Sequence, residues 1–262
     1  MGQSFSLFID RNSLVHRLNP LTKLSIAGFL LVGGLLLPGI WAGYLLFLLV
    51  LTPLALLSGV FRELVGTAWK IVLPFAISVF LIQGLFWPQG TPLIKLGPLS
   101  IKEQGISFAI ASTGRILIIV SSFLWFSLTT RPDHLMTSLA KVGFPSSLAY
   151  VIVATIQIAP RFQARAATIL DAQRARGVET EGSVRIRIQA TLPLVVPLIL
   201  SSLVDVEERA LAVEARGFSR PGKKTSLAEI PEARWELVFR WILVFGMLLI
   251  LAGRVWLGIA QR

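Results

Sequence analysis

The sequence predicts an all-α integral membrane protein: five transmembrane helices, with one short and two long helices between spans four and five. Three observations carry this. Hydrophobic residues make up 54% of the 262 and charged residues only 15%, whereas soluble domains carry about 25% charged residues. Five apolar runs approach the length of about 20 residues that a bilayer demands. Finally, arginines crowd into one stretch between the fourth and fifth runs.

The first run extends from Leu21 to Leu37, where Pro38-Gly39 breaks it, and the second from Ile40 to Ser58. The pair reads as a tight helical hairpin. The third goes from Ile71 to Trp87, the fourth from Ile106 to Leu128 and the last from Leu237 to Leu257. Trp41, Trp69, Trp87, Trp235 and Trp256 lie near the ends of these runs, where aromatic belts form. The expected division is a four-span membrane domain over residues 1–129, a helical region over 130–233 and a last span over 234–262.

Lys and Arg set the orientation. Arg11, Arg17 and Lys23 precede or open the first run, and Arg62 and Lys70 lie between the second and third. The connection Pro88–Gly105 holds only Lys95 and Lys102, while the stretch beyond Thr130 is rich in Arg. The positive-inside rule puts the N-terminus and the long stretch in the cytoplasm and the C-terminus outside the cytoplasmic membrane. No small-residue cleavage site follows the first run, so no secretory signal is read there.

In the long stretch, Thr130-Arg131-Pro132-Asp133 opens a short helix, with Thr130 as N-cap and Pro132 in the first turn. It ends near Gly143. A second helix runs from about Ser146 to Arg176 and a third from about Ser183 to Arg216. Leu148–Ala159 and Leu192–Val204 are apolar but short for a bilayer, so they read as helices at the cytoplasmic membrane face. A spanning reading stays open, because short tilted helices occur.

The two long helices end alike, one in Ala175-Arg176-Gly177 and the other in Ala215-Arg216-Gly217. A single such ending is a helix stop, with Gly in the left-handed conformation and Arg complementing the dipole. Two of them, each closing a long cytoplasmic helix, point to a pair of docking tips. Gly ends the helix sharply, Ala keeps the tip slim, and Arg presents a planar fork of donors to a partner carboxylate.

On these endings and on the opening segment Asn12-Ser13-Leu14-Val15-His16-Arg17-Leu18-Asn19-Pro20-Leu21-Thr22-Lys23, the chain resembles the T-component family of energy-coupling-factor (ECF) importers, EcfT and its relative CbiQ. The resemblance covers nearly the whole chain. It implies that Arg176 and Arg216 each dock in a groove of one of two ABC ATPase subunits. It also implies that the apolar halves of the long helices contact a membrane-embedded, substrate-binding S component. Candidate contacts are Leu148, Ile152 and Ile156 on one helix and Leu192, Val195, Val196 and Ile199 on the other. Both sets are equally compatible with internal packing or lipid contact. The resemblance further implies a non-catalytic subunit without cofactor, ATP being bound by the partners, in the uptake of a vitamin or metal ion.

Other signals weigh less. Gly217–Thr225 nearly matches a phosphate-binding loop, but Lys224 stands where Ser or Thr must hold magnesium. A basic loop beside anionic lipid reads better. Arg115 lies within the fourth run and is expected to tie helices together or to act in transport. Gly39–Gly43 has small-residue spacing, which the bend explains. Asp205, Glu207, Glu208 and Arg209 read as a solvated face or local pairing. With no Cys and only His16 and His134, a disulfide or a His-rich metal site is excluded. The net charge of +11 mixes acids with bases, which argues against nucleic acid. A stand-alone secondary transporter needs intramembrane carboxylates, and the runs carry them only at the edges, Glu103 and Glu236. A conventional ABC permease supplies one coupling segment per chain, and this chain supplies two.

Overall fold

The structure is a computed structural model that describes residues 8–9, 11, 13–87, 92–96, 99–177, 184–218, 220 and 232–260. The chain divides into two compact units, Ser6–Val142 with Glu229–Arg262 and a second built on Gly143–Ala228.

In the first unit, α1 spans Pro20–Leu36. It opens where the Asn19 side chain accepts from the Leu21 N–H at 2.9 Å and Pro20 fills a first-turn position that needs no donor. After the bend at Gly39 (φ +121), α2 covers Ala42–Ser58. Its middle, Phe47–Leu51, is π-helical. Pro53 has no N–H to give the ladder, and the Thr52 hydroxyl donates to the Phe47 carbonyl at 2.9 Å.

The next helix, α3, spans Phe61–Phe86 and starts well ahead of the apolar run at Ile71. Its first turns are amphipathic: Leu64 and Ala68 are buried, while Arg62, Glu63 and Lys70 share the same helix. Hydropathy alone registers only the second part. The connection that follows carries an antiparallel hairpin, β1 (Pro92–Leu96) and β2 (Leu99–Lys102), with Ile94 opposite Ile101 and Leu96 opposite Leu99.

Helix α4 (Glu103–Thr129) packs against α1, α2 and α3. A third of its most apolar window is buried (33%), against 11% in α3 and 6% in the last helix, α8 (Arg234–Ala260). That difference makes α4 the core helix and leaves α8 flanking α1. Trp125 and Ile118 of α4 meet Leu30, Leu51, Val60 and Leu64 in the core. One close crossing is between α2 and α4. A Cβ on Gly43 would lie 2.2 Å from the Gly114 carbonyl oxygen, so the backbones touch. Gly39 serves the bend, but Gly43 is a small-residue helix contact, contrary to the expectation that turn geometry explains the spacing.

The short helix α5 spans Pro132–Lys141 and clusters with this unit. Arg131, and not Thr130 as expected, is its N-cap, with no side-chain cap bond. The first turn is held instead by Asp133, whose carboxylate accepts from the His134 N–H at 3.0 Å and pairs with Arg131 at 3.1 Å. Among the described residues, three helices, α3, α4 and α8, are long and apolar enough to cross a membrane; α1 and α2 are apolar but shorter.

The second unit contains α6 (Ser146–Ala175) and α7 (Val184–Ala215). They run close to the expected bounds. Pro160 sits inside α6 and Pro193 and Pro197 inside α7, each removing one ladder donor.

Candidate functional site

The two Ala-Arg-Gly endings take the same backbone form. In α6, Arg176 closes the helix at φ −86, ψ 5, Gly177 follows at φ +88, and the Gly177 N–H donates to the Arg174 carbonyl at 2.9 Å. In α7, Gly217 lies at φ +70. Its N–H donates to Glu214 at 2.8 Å and the Phe218 N–H donates back to Val213 at 3.2 Å, the paired bonds of a Schellman cap. Arg176 and Arg216 are both exposed. Among the described residues neither guanidinium has a hydrogen-bond or ion-pair partner.

The helices touch in antiparallel sense. Tyr150, in the first turns of α6, packs in a tilted arrangement against Phe218 beyond the end of α7, ring centroids 5.0 Å apart. Midway, Arg165 pairs with Asp205 at 2.5 Å and also donates to the Ser201 carbonyl at 3.3 Å. Each tip therefore lies ten residues beyond its member of the pair, about 15 Å of helix. The tips point away from each other, since about 35 Å of α6 separates Tyr150 from Ala175. Asp205 is thus an interhelical strut and not part of a merely solvated charge run. A 40-residue separation in a hairpin has no local signature, so only its place opposite Arg165 reveals it.

Beside the strut is a cleft of about 570 Å³, walled by Ile158, Phe162 and Val206 and rimmed by Arg161 and Arg209. Leu148, Ile152 and Ile156 are exposed at i, i+4 spacing along α6. Val195, Val196 and Ile199 are exposed on α7, and the exposed apolar run continues through Leu203 to Val206. The side chain of Leu192, and the residues 219 and 221–225 of the phosphate-loop-like segment, lie outside what is described. Arg115 is half-buried, and its Nε is buried with no hydrogen-bond partner among the described residues.

A second constellation went unread in the sequence. Glu236, in the first turn of α8, is 4% exposed. One of its oxygens accepts from the Asn19 N–H at 2.9 Å and the Thr22 hydroxyl at 2.8 Å. Lys23 is 2% exposed, and its ammonium donates to the carbonyls of His16 at 3.1 Å and Thr129 at 2.8 Å. Lys23 is therefore a buried tie, although its charge serves the orientation argument as though it faced the cytoplasm. His16 Nε2 donates to the Ile9 carbonyl at 3.0 Å, which leaves Nδ1 to meet the Ser13 hydroxyl at 2.7 Å.

Comparison with known proteins places these features. The family pattern CbiQ, described as cobalt transport protein, matches residues 11–227. The chain is 30% identical over 251 residues to the energy-coupling factor transporter transmembrane protein EcfT of Listeria innocua, covering 90% of this chain and 91% of that protein. It is 29% identical to the EcfT of Lacticaseibacillus paracasei over 257 residues, covering 93% and 94%. It is 30% identical to that of Bacillus subtilis over 220 residues, covering 80% and 83%.

Proposed function

This chain belongs to the CbiQ family of cobalt transport proteins, and on that premise we propose that it is the transmembrane coupling component of an energy-coupling-factor importer. It binds neither ATP nor cargo. Two cytoplasmic ABC ATPases hold its helix tips, and a separate membrane-embedded S component carries a vitamin or a metal ion. The names of its relatives, energy-coupling factor transporter transmembrane proteins, support the coupling role.

The observation that carries this reading is the pair of like-capped arginine tips, exposed and facing away from a central strut. Two similar partners standing side by side meet such an arrangement one tip each. An exposed arginine without a partner pairs with a carboxylate in a groove, and losing one side of such a pair costs about 2–5 kcal/mol. When the ATPases draw together on ATP, tips separated by the strut turn α6 and α7 against each other. Their exposed apolar faces, Leu148, Ile152 and Ile156 on one and Val195, Val196 and Ile199 on the other, then move the S component.

In this arrangement α1 and α2 also span the bilayer, by local thinning or by snorkelling of their flanking residues, making five spans. The N-terminus and the α6–α7 unit are cytoplasmic and the C-terminus is outside.

The test is to purify the tagged chain from its native host in mild detergent. Two ATPase chains and a small hydrophobic membrane protein should come with it. Arg176→Glu combined with Arg216→Glu should release the ATPases while the chain still inserts in the membrane. Normal ATPase recovery with the double variant would overturn the docking assignment.

A further inference from the structure

The α6–α7 unit is an insertion in the chain: the chain leaves the membrane unit after α4 and α5 and returns to it at α8. The membrane-unit segments before and after the insertion are tied to one place. On the outgoing side, the Thr129 carbonyl, at the last residue of α4, accepts from Lys23 at 2.8 Å. On the returning side, Glu236 accepts from Asn19 and Thr22 at 2.9 and 2.8 Å. Asn19, Thr22 and Lys23 lie within the first turn of α1 or just before it. All five residues are no more than 4% exposed.

The chemistry fits a fixed root better than a site for a ligand. The Lys23 ammonium and one Glu236 oxygen are turned onto backbone or hydroxyl partners, and the two buried charges are of opposite sign. A buried charge left without partners is destabilising, while replacing a whole pair is often tolerated. Buried polar ties of this kind favour one geometry over its alternatives.

We propose that the Lys23–Glu236 knot is the root against which the coupling helices work, holding the end of α4 and the start of α8 on α1 so that movement of α6 and α7 reaches the membrane helices. Lys23 and Glu236 are then positioning residues for energy coupling. The proposal rests on the coupling function above. Glu236→Ala unties α8. Glu236→Gln keeps an oxygen for Asn19 and Thr22. Lys23→Met with Glu236→Gln unties α4 and leaves no charge buried, which serves if Glu236→Ala fails to assemble.

The chain has no cysteine, so nitroxides are placed uniquely by Val142→Cys and Ala212→Cys, both at exposed positions. The full complex with its ATPases is placed in nanodiscs, and the interlabel distance is measured by pulsed electron paramagnetic resonance with and without MgATP and vanadate. Untying should reduce the ATP-driven distance change about twofold or more, while ATP turnover and ATPase recovery stay within about twofold of the parent, the separation expected of a loss in coupling. Glu236→Gln should retain the change. A full distance change in the untied variants overturns the proposal. So does a proportional fall of distance change, turnover and ATPase recovery, which marks a purely structural role. If the parent complex carries no ATPase or shows no ATP-driven change, the coupling function itself falls, and the root with it.

Discussion

At Gly177 and Gly217 a Cβ would meet no atom within 4 Å, so space does not demand glycine there. Conformation does: φ is +88 and +70, where a side chain costs about 1–2 kcal/mol. Gly177→Ala and Gly217→Ala should therefore weaken ATPase capture about 5–30-fold, the factor that such a penalty produces. Asn, which tolerates this region, should do less harm. Titration of the purified ATPases against each variant decides it, and equal binding by Ala would show that the cap does not set the docking geometry. A different balance holds at Asp133. Burial by itself would raise its carboxyl, but the Arg131 and His134 contacts outweigh burial and hold it below the usual carboxylate range. A depressed carboxyl stabilises the fold above its unfolded pKa, and that contribution disappears as pH falls through the folded value. The side chain is 38% exposed, so solvent screens the effect. Asp133→Asn should lower stability slightly at neutral pH and flatten the acid limb of a thermal-melting profile.

Between elements, two contacts invite direct measurement. Arg165 and Asp205 bridge α6 and α7 with side chains 41% and 52% exposed. A double-mutant cycle on them should return only about 0.2–1 kcal/mol, diminishing with salt. Their role is register: the strut decides that both tips stand equally far from the crossing. The crossing of α2 and α4 is less forgiving. With a Gly114 carbonyl 2.2 Å from the position of a Gly43 Cβ, the obstacle is backbone and cannot rotate away. Gly43→Leu should cost about 1–3 kcal/mol or more through overpacking, seen as a lower melting temperature in detergent. Gly66→Leu is the control, because nothing lies within 4 Å of its Cβ position. Comparable losses from both would discount the close crossing.

For the molecule as a whole, the charge distribution makes a topological prediction. A single cysteine introduced at Arg262 should react with an impermeant maleimide from outside, and Ala212→Cys only after the membrane is permeabilised. Labelling of both from one side would mean that α8 does not cross the membrane. The exposed apolar surface on α8, including Trp235, Trp241 and Phe245, is what lipid or a membrane partner covers.

The helical bounds of α6 and α7, their matching caps and the apolar character of the membrane helices were legible in the sequence, because periodicity, Gly-ended helices and run length are local properties. The same locality explains the misses. Thr130 and Arg131 are both compatible with a helix start, and only the folded backbone selects Arg131. Gly43 reads as a turn residue until α4 is laid against it. Lys23 and Glu236 look like edge charges, because their partners, His16 and Thr129 for one and Asn19 and Thr22 for the other, include groups more than 100 residues away. Sequence by itself determined which segments are helical, where they stop and which tips carry arginine, since those follow from each segment's own residues. Tertiary structure alone decided which charges are buried, which glycines meet backbone and where α6 and α7 are strutted, since those depend on what the rest of the chain places opposite them.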